Sequence, residues 1–87
     1  MLTLNFVFNT FRMLLLNKLL EDGNVLYRKG QLKDAVYRYQ YALRKIPVNE
    51  YDEGMQAAFD EMKMTFMLQL SRCKQKMNVS LVHAPQK

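Results

Sequence analysis

The stretch LLEDGNVLYRKGQLKDAVYRYQYALRKIP, residues 19–47, contains two helical apolar patterns separated by Gly30. The first pattern, from Leu14 to Lys29, ends at Gly30, because glycine tolerates the left-handed backbone that closes a helix. The second pattern, from about Leu32 to Ile46, ends at Pro47, because the residue before a proline disfavours helical geometry. We therefore expect two antiparallel helices, each with one buried stripe. The stripe positions are Leu15, Leu16, Leu19, Leu20, Leu26 and Tyr27 in the first helix, and Leu32, Ala35, Val36, Tyr39, Ala42, Leu43 and Ile46 in the second.

A third helical pattern runs from about Glu53 to Met77 and is the strongest in the chain. Its apolar positions recur at steps of three or four: Met55, Phe59, Met62, Phe66, Leu70, Cys73 and Met77. Met64, Met67 and Leu68 widen this surface, which favours neighbours on more than one side. Asn49 or Asp52 is the expected cap before this helix.

The two ends of the chain are less regular. Residues 1–15 form an apolar segment that is too short and too interrupted by polar residues for a membrane span. A helix packed on the hairpin is the preferred interpretation, with an interfacial membrane helix as the alternative. Residues 79–87 show no periodicity and contain Pro85, so we expect a disordered tail.

Composition narrows the functional classes. The 87 residues carry a formal net charge of +5, which favours acidic partners, and no zinc-finger spacing or RNA-recognition motif supports nucleic-acid binding. Cys73 is the single cysteine, so no disulfide forms within one chain and a reducing, cytoplasmic setting is expected. With His83 the single histidine, we expect no metal and no cofactor.

Nothing in the sequence indicates an enzyme. A glycine-rich phosphate loop and a nucleophile elbow are both missing from the sequence. Cys73 lies in the third apolar pattern and is expected to be a buried thiol, whereas His83 falls in the expected tail. The sequential acidic pairs Glu21/Asp22 and Asp60/Glu61 point in different directions around a helix, so they do not converge as catalytic carboxylates must.

The two paired helices resemble one tetratricopeptide repeat (TPR). Leu16 to Asn49 spans 34 residues, the TPR length. The positions that match the TPR pattern are Leu19, Gly23, Leu26, Ala35, Tyr39 and Pro47. Gly23 and Ala35 are expected where the two helices cross closely. Leu19 departs from the usual Trp, and Asp22 departs from the usual Leu.

Residues 19–78 are similar to the TPR region of the TANC family, through residues 20–45 and the later stretch LSRCKQKMN, residues 70–78. That resemblance implies a cytoplasmic scaffold associated with the postsynaptic density. It divides the chain into an apolar segment (1–15), one TPR (16–49), the first helix of a second, incomplete TPR (50–78) and a tail (79–87). Both ends depart from the family, which suggests a fragment or a splice product. The chain ends Ala-Pro-Gln-Lys, so the family's C-terminal PDZ ligand is not carried over.

The resemblance also implies a binding surface, because TPRs bind peptides or partner helices on the concave face formed by the first helix of each repeat. The expected binding residues are Asn24, Tyr27, Arg28, Gln69, Arg72 and Lys76. Their cations and amides suit an acidic or carboxylate-bearing peptide. The carboxylate clamp of TPR co-chaperones is matched at Asn24, but Leu20 replaces its lysine and Gln69 its second asparagine.

Two alternative functions remain open: a non-binding or interfering fragment, and a membrane-surface module that uses the apolar N-terminal segment and the basic charge. A single repeat buries too little apolar surface alone. We therefore also expect that residues 1–15 act as a cap, or that the chain self-associates through the apolar surface of the third helix.

Overall fold

The computed structural model describes residues 2–47 and 53–83 of the chain. Within these ranges the protein consists of three helices and no strand: α1 (Leu2–Arg28), α2 (Leu32–Lys45) and α3 (Glu53–His83). The prediction of an all-α protein with a helical hairpin and a long third helix is confirmed at this level. Its assignment to the TPR class stays a prediction.

Gly30 ends α1 as predicted. Its φ of +81° lies in the left-handed region, which glycine occupies without steric cost. The Gly30 amide donates to the Tyr27 carbonyl at 3.0 Å, and the Gln31 amide donates to the Leu26 carbonyl at 2.9 Å. These two bonds form a Schellman motif, which satisfies carbonyls that a helix end otherwise leaves unpaired.

The end of α2 also follows the prediction. Ile46, directly before Pro47, has a ψ of 126°, so its backbone is extended and leaves the helical region. The Ile46 amide still donates to the Leu43 carbonyl at 3.4 Å. The expected caps Asn49 and Asp52 lie outside the described residues.

Both long helices extend further than their apolar patterns predicted. The helix α1 begins at Leu2 and not near Leu14, so most of the apolar segment 1–15 is continuous with the first helix of the hairpin. Similarly, α3 continues to His83, so residues 79–83 are helical where a disordered tail was predicted. In both extensions the chain lacks Gly and Pro, and an existing helix propagates more easily than a new one nucleates. Residues 84–87 lie outside the described part.

Among the residues with described side chains, ten hydrophobic residues from the three helices and the end of α2 form the core, which lies along the two faces of α2 that contact α1 and α3. They are Leu16, Leu19, Ala35, Tyr39, Ala42, Ile46, Phe59, Met62, Phe66 and Cys73. The periodic patterns predicted all of them. Leu15, which the same pattern placed in the buried stripe, is instead 51% exposed.

Gly23 and Tyr39 form a close contact between α1 and α2. A Cβ added at Gly23 would lie only 2.8 Å from Cδ1 and 3.0 Å from Cζ of Tyr39. The Tyr39 ring in turn meets the Phe66 ring edge-on, with 6.1 Å between the centroids. Ala35 is also fully buried. The predicted close crossing of the two helices is therefore confirmed, and Tyr39 links all three helices.

Two apolar surfaces stay exposed. One lies on the N-terminal half of α1 and comprises Val7, Phe8, Phe11, Leu14 and Leu15. The other, on α3, comprises Met64, Met67 and Leu68. As its wide pattern predicted, α3 contacts two neighbours, α1 and α2, but neither of them covers Met64, Met67 and Leu68. No helix in that part is long and apolar enough to cross a membrane.

Candidate peptide-binding face

The six predicted binding residues lie on α1 and α3, and the structure joins several of them directly. Hydrogen bonds connect Asn24, Gln69 and Arg72, together with Tyr39 of α2. A separate contact joins Tyr27 to Lys76. Arg28 is exposed at the end of α1. We call the surface formed by the six predicted residues the α1/α3 face.

The Asn24 carbonyl oxygen is the centre of the hydrogen-bond network. It accepts from the Tyr39 hydroxyl at 2.6 Å and from the Gln69 amide nitrogen at 2.9 Å. The same Gln69 nitrogen lies 3.4 Å from the Tyr39 hydroxyl oxygen, a weaker contact. One polar cluster therefore holds three helices together beside the core, where satisfied hydrogen bonds specify a unique packing.

Arg72 determines which atoms of this cluster face outward. An arginine side chain can only donate, so the Gln69 atom that it contacts at 3.0 Å is the carbonyl oxygen. The Gln69 nitrogen must then point to Asn24, which turns the Asn24 oxygen inward. The Asn24 side-chain nitrogen makes no hydrogen bond to any residue that the structure describes. The network thus presents an amide donor, and not an acceptor, on the α1/α3 face.

Tyr27 and Lys76 form the second contact across this face. The Lys76 ammonium lies 5.0 Å from the centroid of the Tyr27 ring, within the range of a cation–π interaction. Tyr27 is partly buried and packs against the core, whereas Lys76 is exposed. Because the ring fixes the approach of the lysine stem, the charge is held near α1. Arg28, Arg72 and Lys76 therefore bring three cations to the α1/α3 face.

A shallow cleft continues from Asn24 towards the N-terminus of α1. Its volume is about 430 Å³, and its lining residues are Leu14, Asn17, Lys18, Leu20, Glu21 and Asn24. Lys18 in this cleft is paired with the Asp22 carboxylate at 3.4 Å. The cleft thus mixes apolar side chains with both charge signs, whereas Arg28, Arg72 and Lys76 supply only positive charge.

Tyr39 was missed as a site residue by the sequence reasoning, which assigned it to the core. Its ring is fully buried as expected, but its hydroxyl orients Asn24. Burial raises the pKa of this hydroxyl, although the Gln69 hydrogen bond lowers it in part. The sequence contained one indication of this role: position 39 is Tyr and not Phe, and a buried Tyr hydroxyl usually has a hydrogen-bond partner.

The thiol of Cys73 and the metal-ligating side chains are the remaining groups that could support chemistry. Cys73 is fully buried as predicted, and this burial raises the pKa of its thiol, with a smaller opposing effect from the charge of Lys76. It is therefore a poor nucleophile at neutral pH. Among the residues that the structure describes, no group of three or more His, Cys, Asp or Glu side chains could hold a metal ion.

Comparison with known proteins adds no assignment, because the chain matches no known family model and no solved structure. The TPR resemblance therefore stays a prediction that rests on the sequence pattern.

Proposed function

We propose that this protein is a non-catalytic interaction module of the TPR type, which binds an acidic, carboxylate-bearing peptide on the α1/α3 face. The observation that carries the proposal is the network from Arg72 through Gln69 to Asn24. This network orients the Asn24 side-chain amide as a hydrogen-bond donor on the α1/α3 face, which also carries the cations Arg28, Arg72 and Lys76. An acidic partner helix is the other ligand form that this chemistry suits.

Charge and hydrogen-bonding capacity both favour a carboxylate. Arg72 and Lys76 donate only, and the outward atom of Asn24 is an amide nitrogen. A carboxylate accepts only, so it complements such a surface, and its bonds to cations are stronger than neutral ones. Arg72 uses one nitrogen for Gln69 and keeps further N–H groups for a ligand.

Preorganisation is the second argument. The helices α1 and α3 are held at a fixed distance by the hydrogen bond between Asn24 and Gln69 at 2.9 Å. A ligand that binds both helices therefore does not have to order them, which lowers the entropic cost of association.

The proposed setting is a cytoplasmic scaffold of the postsynaptic type, and its support is the sequence similarity of residues 19–78 to the TANC family.

Fluorescence anisotropy with labelled acidic peptides tests the proposed face. Peptides that end in a free carboxylate are compared with C-terminally amidated and scrambled neutral peptides. We expect Arg72→Ala to weaken binding of the acidic peptide about tenfold or more, the effect of losing one charged hydrogen bond. Raising the salt concentration should weaken the same complex.

Lys74→Ala is the matched control. It removes an equally exposed cation two residues from both Arg72 and Lys76, on another side of α3. The proposal expects less than a twofold change for this variant. Equal losses for Arg72→Ala and Lys74→Ala would mean that binding reflects net charge alone, and no binding of any acidic peptide would refute the proposal.

A further inference from the structure

The N-terminal half of α1 carries a continuous apolar surface on the side away from the core. Val7, Phe8, Phe11, Leu14 and Leu15 are 49, 57, 68, 61 and 51% exposed, respectively. At 100° per residue they occupy one arc of the helix, centred on Phe11. The core residues Leu16 and Leu19 lie outside this arc. We call these five residues the Phe11 stripe.

The stripe is symmetric about its central residue. Relative to Phe11, its members lie at −4, −3, 0, +3 and +4 in the sequence. A second α1 helix, antiparallel and related by a twofold axis at Phe11, would therefore meet the same apolar positions in reverse order. In this arrangement Leu14 of one copy lies opposite Phe8 of the other, and Leu15 lies opposite Val7.

From this symmetry we propose that the protein forms an antiparallel homodimer through the Phe11 stripe. The exposed area of these five residues is roughly 500 Å², which lies in the upper half of the range for the largest apolar patch on a monomeric protein, and such patches are often interaction sites. Two copies would bury roughly 1,000 Å², about the lower limit for a specific interface. The dimer is accordingly weak, with dissociation in the micromolar range.

The other candidate surfaces fit a second copy less well. Met64, Met67 and Leu68 on α3 cover little more than one helical turn and lack the symmetric spacing. A membrane-bound surface helix usually carries a polar face rich in Lys and Arg opposite its apolar face. Opposite the Phe11 stripe lies the partly buried Met13, and Arg12 is the one cation between Val7 and Leu15.

The proposed dimer leaves the α1/α3 face accessible. Asn24 lies on a different side of α1 from Phe11, about 140° around the helix axis, and about three and a half turns further along it. The proposal is therefore independent of the peptide-binding function, and the two fail or succeed separately.

Sedimentation equilibrium of the full chain between 5 and 200 µM tests the proposal. We expect the mean mass to rise from the monomer value of 10.3 kDa towards twice that value. Phe11→Glu should keep the helical circular dichroism signal and weaken self-association at least tenfold. Met64→Glu, which places the same charge on the other apolar surface, is the matched control and should associate like the wild type.

Loss of association in Met64→Glu, with Phe11→Glu unaffected, would place the interface on α3 and overturn the proposal. A wild-type chain that stays monomeric at 200 µM would overturn it as well. Flotation with phosphatidylcholine/phosphatidylserine vesicles provides the third arm. A monomer that floats with these vesicles, and loses this property in Phe11→Glu, would identify the stripe as a membrane surface.

Cysteine cross-linking tests the antiparallel arrangement. The variants Val7→Cys and Leu15→Cys, mixed and oxidised, should form the mixed disulfide-linked dimer, and Val7→Cys alone should cross-link poorly. Cys73 is fully buried and does not compete. Efficient cross-linking of Val7→Cys with itself would indicate parallel helices and contradict the proposed geometry.

Discussion

Replacement of Gly23 by Ala is the most informative change to the hairpin, because two effects of opposite sign compete there. In an exposed helix, Gly→Ala stabilises by about 1 kcal/mol through helix propensity. At Gly23, however, the new methyl would lie 2.8 Å from Cδ1 and 3.0 Å from Cζ of Tyr39. The Tyr39 ring cannot easily move, because it packs edge-on against Phe66 and its hydroxyl is bonded to Asn24.

Overpacking at such a site costs about 2–3 kcal/mol, and a shift of the ring would weaken a hydrogen bond worth about 1 kcal/mol. After subtraction of the helix-propensity gain, we expect Gly23→Ala to destabilise the protein by about 2 kcal/mol. For a chain of this size, that corresponds to a fall in Tm of roughly 8–16 °C. Thermal unfolding followed by circular dichroism at 222 nm measures the change.

Gly54→Ala is the matched control for this experiment. Gly54 is exposed in the first turn of α3, so the same substitution there should leave the Tm unchanged or raise it by a few degrees. A Tm for Gly23→Ala that equals or exceeds the wild-type value would refute the close approach of α1 to Tyr39.

Three further predictions concern stability. Ala35→Arg should cost several kcal/mol in urea denaturation, because it forces a long cation into a fully buried position, and an unchanged midpoint would mean that the helices are paired differently. Gly30→Ala should cost about 1 kcal/mol, although nothing lies within 4 Å of the added methyl, because the φ of +81° is strained for alanine; calorimetry should detect the lower Tm. Burial raises the pKa of Cys73 and Tyr39 above their ordinary values of 9.0 and 10.0, so the unfolded chain releases these protons first as the pH rises. Stability should therefore be constant with respect to these groups below about pH 8 and fall above pH 9, and Tyr39→Phe should remove part of this fall in urea midpoints measured from pH 7 to pH 11.

The hairpin was predictable from the sequence because its signals are local. Gly30 and Pro47 act on their own backbone and on that of their neighbours, so their effects do not depend on the rest of the fold. The buried positions followed from helical periodicity, which each helix expresses independently. Gly23 was recognised as a close contact because a small residue inside a helix usually has a packing reason.

The long extensions of α1 and α3 were not predictable in the same way. Periodicity marks where a helix is buried, not where it ends, and residues 7–12 of α1 contribute no hydrophobic side chain to the core. Leu15 shows the same limit, since it belongs to the exposed Phe11 stripe although its neighbour Leu16 is buried in the core. When an apolar pattern is wide enough to cover two faces of a helix, it does not show which face packs against the core and which stays exposed.

For the candidate site, the sequence identified residue types but not their connections. Asn24, Gln69 and Arg72 were selected as ligand-binding residues on a TPR-like face, and whether they bind a peptide stays a prediction. Their mutual hydrogen bonds depend on tertiary contacts between residues 45 positions apart, which no local pattern encodes. Tyr39 was assigned to the core because its ring satisfied the periodic pattern, while the role of its hydroxyl required the positions of both neighbouring helices.

The whole fold depends on the convergence of the three helices on Tyr39, with Asn24 of α1 and Gln69 of α3 bonded beside its hydroxyl. Nuclear Overhauser contacts measured on the full chain test this convergence directly. We expect contacts from the Tyr39 ring protons to the Gly23 α-protons and the Phe66 ring, and from the Gln69 side-chain amide to the Asn24 side chain. A Tyr39 ring that shows contacts only within its own helix would contradict the fold and remove the basis of the proposed binding face.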